Sequence, residues 1–131
     1  MGIVLMIHSI VRWAIVVIGV IALVKLGIGW LRGQTFKGMD RGLVSGFSGA
    51  MDLQMLLGLI YLIVDGLTVG FPMYRIEHAT TLIVAVFVAH LPARWKKAAD
   101  TVRFRNSFLA IFVAMLLVFA GVARLPGGWS R

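Results

Sequence analysis

Three histidines are the side chains of this chain best suited to bind a metal or carry protons, and all lie in long apolar stretches. His8 lies in the first apolar stretch, His78 near the start of the third, and His90 at the end of the third. Polar and ionisable side chains are costly inside a bilayer, and they usually have a partner or a function there. The histidines are therefore the first candidates for a functional site.

The positions of His8 and His78 along their apolar stretches predict that the two imidazoles share a layer. A helix rises about 1.5 Å per residue, which puts His8 about 8 Å and His78 about 6 Å below the same membrane boundary. Two imidazoles on facing helices can bind both faces of a low-spin haem iron. We therefore expect one haem b near the outer face, with Arg12 or Arg75 neutralising a propionate. Alternatively, both histidines are partly hydrated interfacial residues that hydrogen-bond to their neighbours.

Arg12 and Asp52 are charged residues with similar predicted depths near the middle of the membrane. Because an intramembrane cation needs a counter-ion, we predict a structural ion pair between them. A proton path through Asp52, Gln54 and Asp65 is the alternative. However, Asp52 and Asp65 are 13 positions apart, which places them on different helix faces at about 100° per residue. One continuous proton path is therefore not favoured.

A second haem, at the level of His90, is not expected because no other histidine lies at that depth. His78 and His90 are 12 positions apart, so they point about 120° away from each other on an unbent helix. The chain has no cysteine, which excludes disulfides, thiolate metal sites and covalent attachment of a c-type haem. Any haem would be held without covalent bonds to sulfur.

The elements that must position these residues are four membrane-spanning helices. The chain is 60% hydrophobic and 14% charged, with a mean hydropathy of +0.97, and a span needs about 20 apolar residues. We predict an all-α fold, an integral membrane four-helix bundle, as a single domain over residues 1–131. The predicted spans are approximately 3–26, 43–69, 74–91 and 108–122. The last span is short, so we expect its helix to start nearer Phe104.

The net charge of +8 predicts the orientation of the bundle, not a nucleic-acid partner. Basic residues cluster in the first and third loops, and short loops rich in Lys and Arg usually face the cytoplasm. Both termini are therefore predicted on the outer, periplasmic side. The residues that carry this prediction are Arg32, Lys37, Arg41, Arg94, Lys96, Lys97, Arg103 and Arg105.

Three short motifs resemble a family of small four-span bacterial membrane proteins described as cytochrome b-like, by analogy with cytochrome b561. They are HSIVRW at 8–13, LQMLLGL at 53–59 and the pair Glu77-His78, followed by a basic loop before the fourth span. In the family pattern, histidines match those of the first and third motifs and His90. A further family histidine stands where this chain has Asp52. The resemblance implies one haem b in a bacterial inner membrane and leaves the second haem doubtful.

Two functions remain open at this point. The first is electron transfer through the haem, with a quinol or a larger oxidoreductase as the redox partner. The alternative is a haem-free accessory or structural subunit of a respiratory or photosynthetic membrane complex. The small size and the incomplete set of catalytic residues favour an electron-transfer or accessory protein over a stand-alone enzyme. In either case, the lipid bilayer is the first partner of the chain.

Overall fold

The computed structural model describes residues 2–130, which form four long helices joined by short connections. Helix α1 spans Gly2–Leu31, α2 spans Gly38–Val69, α3 spans Met73–His90 and α4 spans Asp100–Ala123. Short 3-10 turns follow α3 and α4, and no strand occurs within residues 2–130. Each helix is long and apolar enough to cross a membrane. The predicted all-α class and the four long apolar helices are confirmed, and such helices suggest a multi-pass membrane protein.

The helices extend beyond the predicted apolar spans. Helix α4 begins at Asp100, eight residues before the predicted span, and α1 continues five residues beyond its predicted end. Apolar length marks only the part of a helix suited to hydrocarbon, whereas backbone hydrogen bonds also continue through polar flanks. Helix α3 ends at His90, and Pro92 follows in the 3-10 turn Leu91–Trp95.

Consecutive helices are antiparallel, and α1 lies diagonally opposite α3 because its main contacts are with α2 and α4. The α1–α2 and α3–α4 connections share one end of the bundle, which we call the basic end. The opposite end, which we call the terminal end, holds the start of α1, the α2–α3 turn and the residues after α4.

Large side chains from α1, α2 and α4 fill the centre of the bundle, and the buried residues of α3 are the smaller Ala85, Val86 and Ala89. Small residues let the helices approach closely. The Phe104 ring is fully buried against Gly29, at a place where a Cβ would overlap the ring. Many apolar side chains on the outer faces remain exposed, as expected for surfaces that contact lipid. The largest buried side chains of the core are Ile15, Leu26, Phe47, Met51, Phe104 and Ile111.

Asp40 ties α1 to α2 at the basic end. Its side chain is 1% exposed, and Oδ1 lies 2.7 Å from the Lys25 ammonium. The other oxygen, Oδ2, accepts a 2.9 Å hydrogen bond from the backbone N–H of Lys37 at the start of α2. Asp40 therefore combines a buried ion pair with a helix cap, a role that the sequence patterns did not reveal.

Candidate functional site

The four residues predicted to hold a haem line one cavity at the terminal end of the bundle. All four helices contribute to its wall, and its volume is about 160 Å³. Most of the wall is apolar, as is usual for cofactor sites, with a few polar groups among the apolar side chains. The residues brought together here are His8, Arg12, Arg75 and His78.

His78 is oriented by the last turn of α4. Its Nδ1 lies 2.9 Å from the backbone oxygen of Gly121, which can only accept a hydrogen bond, so Nδ1 carries a proton. Gly121 lies within the last four residues of α4, where carbonyl groups lack a partner in their own helix. In the neutral ring Nε2 is then the acceptor, which is the arrangement of a metal-binding imidazole.

His8 packs against α2 at a glycine. A Cβ placed on Gly58 would lie 3.2 Å from His8 Nε2, so the imidazole occupies the space that a side chain would fill. One turn away, Gln54 Nε2 donates a 2.8 Å hydrogen bond to the backbone oxygen of His8. The buried Gln54 Oε1 has no hydrogen bond within residues 2–130. Both α2 residues belong to the LQMLLGL motif, whose function the sequence analysis did not assign.

Arg12 lines the cavity and also packs against two tryptophan rings that are not part of its lining. The residue is 8% exposed, and its Cζ lies 5.2 Å from the ring centre of Trp13 and 5.7 Å from that of Trp129. Trp129, from the 3-10 turn after α4, donates its indole N–H to the backbone oxygen of Phe119 at 3.2 Å. The segment after α4 therefore folds back on the bundle and places an aromatic face against a buried cation.

Arg75 has a counter-ion across the α2–α3 turn. Its Nη1 lies 2.8 Å from Asp65 Oδ2, and its Cζ lies 5.4 Å from the ring centre of Tyr61. The contact between Nη1 and Oδ2 is short enough for an ion pair, but its angles do not meet those of a hydrogen bond. Asp65 therefore balances the charge of Arg75 at the wall of the cavity.

His90 lies outside this cavity and contacts Asp52. The distance from His90 Nε2 to Asp52 Oδ1 is 2.7 Å, and each side chain is 47% exposed. The family resemblance aligns these two positions with histidines, and the fold brings them face to face. The described contacts of Arg12 are with tryptophan rings, so the ion pair between Arg12 and Asp52 stays a prediction. The sequence analysis did not anticipate a carboxylate partner for His90.

The geometry can support ligand binding by two imidazoles beside a buried guanidinium, in an environment that is mostly apolar. The volume of about 160 Å³ is close to the roughly 150 Å³ of engineered cavities that take up benzene. The motifs at 8–13, 53–59 and 77–78 all contribute residues to this cavity. No protein-family model, curated protein or solved structure matches the chain, so the resemblance to cytochrome b-like proteins depends on these short motifs alone.

Proposed function

We propose that this chain is a membrane-embedded b-type haem protein that takes part in electron transfer. In this proposal one haem lies at the terminal end, with His8 and His78 as its axial ligands. The observation that carries the proposal is that both histidines line the same cavity although they come from diagonally opposite helices. His8 and His78 would therefore hold one group bound in this cavity.

The residues of the cavity fit a haem in three respects. The hydrogen bond from His78 to Gly121 leaves Nε2 as the nitrogen that can bind iron. Arg12 supplies a buried positive charge for a propionate, and the apolar wall excludes water from the iron. When bound, the haem supplies reversible one-electron transfer at its iron, with a potential set by its ligands and surroundings.

The cavity has to widen to admit a haem. A porphyrin is much larger than benzene, and the enclosed volume is about 160 Å³. Helices α1 and α3, which carry the two histidines, would therefore have to move apart. Because the ligand binds only the folded bundle, we expect haem to raise the unfolding temperature of the protein.

The orientation and the redox partner belong to the same proposal. The basic end carries most of the Lys and Arg residues, which supports its placement in the cytoplasm. The haem would then lie near the periplasmic face of a bacterial inner membrane, and both termini would be periplasmic. A quinol or a larger membrane oxidoreductase at that face would exchange electrons with the haem.

An absorption spectrum tests the proposal directly. Protein purified from cells supplied with haem is expected to contain about one haem b per chain and to show a b-type α band in the dithionite-reduced minus oxidised spectrum. A colourless protein that also fails to take up added haem would contradict the proposal. Stoichiometric co-purification of such a colourless chain with a large complex would support the accessory-subunit alternative.

Gly58 provides a second test because it faces an axial ligand. In Gly58→Val the new side chain would enter the space of the His8 imidazole, which lies 3.2 Å from the Cβ position. We expect the haem content to fall at least about tenfold, as losses of this size follow changes beside metal ligands. The measurement is the ratio of haem to protein in the purified variant.

Gly49→Val is the matched control, because a Cβ at Gly49 of the same helix meets no atom within 4 Å. This variant should keep the haem content of the parent protein. Circular dichroism should show the same helix content for both variants. An equal loss of haem from both would show that valine weakens α2 in general, and the contact with His8 would then have no special role.

A further inference from the structure

A second cleft, at the basic end, has the composition of an anion-binding site. It lies between α2, the 3-10 turn Leu91–Trp95 and the first turns of α4, and its volume is about 160 Å³. The cavity near the two histidines is mainly apolar, whereas cations and hydroxyl groups line much of this cleft. The cationic and hydroxyl side chains that line the cleft are Arg41, Lys96, Arg103, Ser45, Ser48 and Ser107.

The three cations of this cleft have no acidic partner within residues 2–130. The four ion pairs of the described residues join other cations to Asp40, Asp52, Asp65 and Glu77. No carboxylate lines the cleft, and the carboxylate of Asp52 contacts the lining residue His90 and not one of the three cations. An anion entering it would therefore meet positive charge without first displacing an internal counter-ion.

Arg103 is held in place by an aromatic ring. Its Cζ lies 4.0 Å from the ring centre of Phe36, which is 8% exposed. Stacking of this kind engages the face of the guanidinium group, and its N–H donors lie at the edges. A guanidinium fixed at its face suits an oxyanion with several acceptor oxygens, such as a phosphate.

The surface beside the cleft suits the acyl chains of a lipid. Phe87, one turn before His90 on α3, is 72% exposed, and Leu53 on α2 is 47% exposed. On α2, Gly46 and Gly49 directly follow the cleft residues Ser45 and Ser48, and a Cβ at either glycine would meet no atom within 4 Å. The cationic cleft thus lies beside an exposed apolar surface. A phospholipid needs both, because its headgroup is charged and its acyl chains are apolar.

We propose that the cleft binds the phosphate headgroup of an anionic phospholipid, whose acyl chains lie against the exposed faces of α2 and α3. Basic pockets between membrane helices at their loop ends are suited to acidic lipid headgroups. The position at the basic end, where helices pass into charged loops, favours a lipid over a free ion. This lipid site does not depend on whether haem is bound at the other end.

Native mass spectrometry of the detergent-purified chain tests the proposal. The probe is an equal mixture of phosphatidylglycerol and phosphatidylcholine with identical acyl chains, from which the protein should retain phosphatidylglycerol. The cleft variant Arg41→Gln/Lys96→Gln/Arg103→Gln should bind phosphatidylglycerol on the order of a hundredfold more weakly. The single variant Lys96→Gln changes an exposed residue and should bind phosphatidylglycerol about fivefold more weakly. If the triple variant does not fold, this single variant still tests the proposal.

The control variant Arg32→Gln/Lys97→Gln/Arg105→Gln removes the same charge from exposed residues of the basic end that do not line the cleft. It should stay within about threefold of the parent protein, well short of the cleft effect. Equal weakening in both triple variants, or equal retention of the two lipids, would overturn the proposal in favour of diffuse surface attraction. Displacement of the lipid by equimolar inorganic phosphate would overturn it in favour of a free-phosphate site.

Discussion

Replacing either His8 or His78 with alanine is expected to remove nearly all haem, whereas His90→Ala should keep the haem content of the parent protein. The first two histidines line the cavity at the terminal end, and His90 contacts Asp52 outside it. Loss of an outer-shell partner alone typically costs 10–100-fold in metal affinity, so loss of an axial ligand should lower the haem content at least about tenfold. The haem-to-protein ratio of each purified variant is the measurement.

His90→Ala is a demanding control because it removes the same type of side chain from the same bundle, and from the same helix as His78. A general effect of losing an imidazole would lower the haem content of all three variants alike. If only His90→Ala lost haem, the site would lie at the contact between α2 and α3 and the proposed ligands would be wrong. Circular dichroism and gel filtration should show that all three variants remain folded.

The four helices could be predicted from the sequence because apolar length is a local property of the chain. Twenty or so apolar residues are enough to identify a membrane span without any knowledge of its neighbours. The bounds were less accurate at polar flanks: the residues from Asp100 to the predicted start at 108 are helical although few of them are apolar. Backbone hydrogen bonding, not hydropathy, determines where such a helix begins.

The common cavity of His8 and His78 was accessible to sequence reasoning because depth follows from the rise per residue. Depth does not determine how a helix is rotated, and rotation decides which side chains meet. Arg12 and Asp52 were paired by depth alone, and that pair stays a prediction; the contact of Asp52 with His90 was not predicted. Likewise, the hydrogen bond from His78 to Gly121 depends on how closely α3 and α4 pack, which no local pattern records.

The ion pair of Arg75 and Asp65 could have been predicted from the shortness of the turn between α2 and α3. The α2–α3 turn is only three residues long, so residues close to it on the two helices must be neighbours. Opposite charges a few residues from each side of such a turn are expected to pair. From the sequence, Arg75 was a candidate for neutralising a propionate and Asp65 for a proton path. The contact between these two residues was therefore not predicted.

Asp40→Ala is expected to cause the largest loss of stability of any substitution of a charged residue at the basic end. It would leave Lys25 without its carboxylate and the backbone N–H of Lys37 without its acceptor. Breaking a buried ion pair costs about 3–5 kcal/mol. Because the Lys25 side chain is 30% exposed and partly hydrated, we expect about 3 kcal/mol. Unfolding in mixed micelles, followed by circular dichroism, gives the free energy of unfolding.

Asp100→Ala is the matched control because Asp100 also lies in the first turn of a helix but is exposed and forms none of the ion pairs within residues 2–130. It should cost about 1 kcal/mol or less. In the double variant Lys25→Met/Asp40→Ala no charge is left without its partner, so the loss should be smaller than the sum of the single losses by about 1–3 kcal/mol. Additive losses would mean that the 2.7 Å contact contributes nothing and that Asp40 acts only as a helix cap.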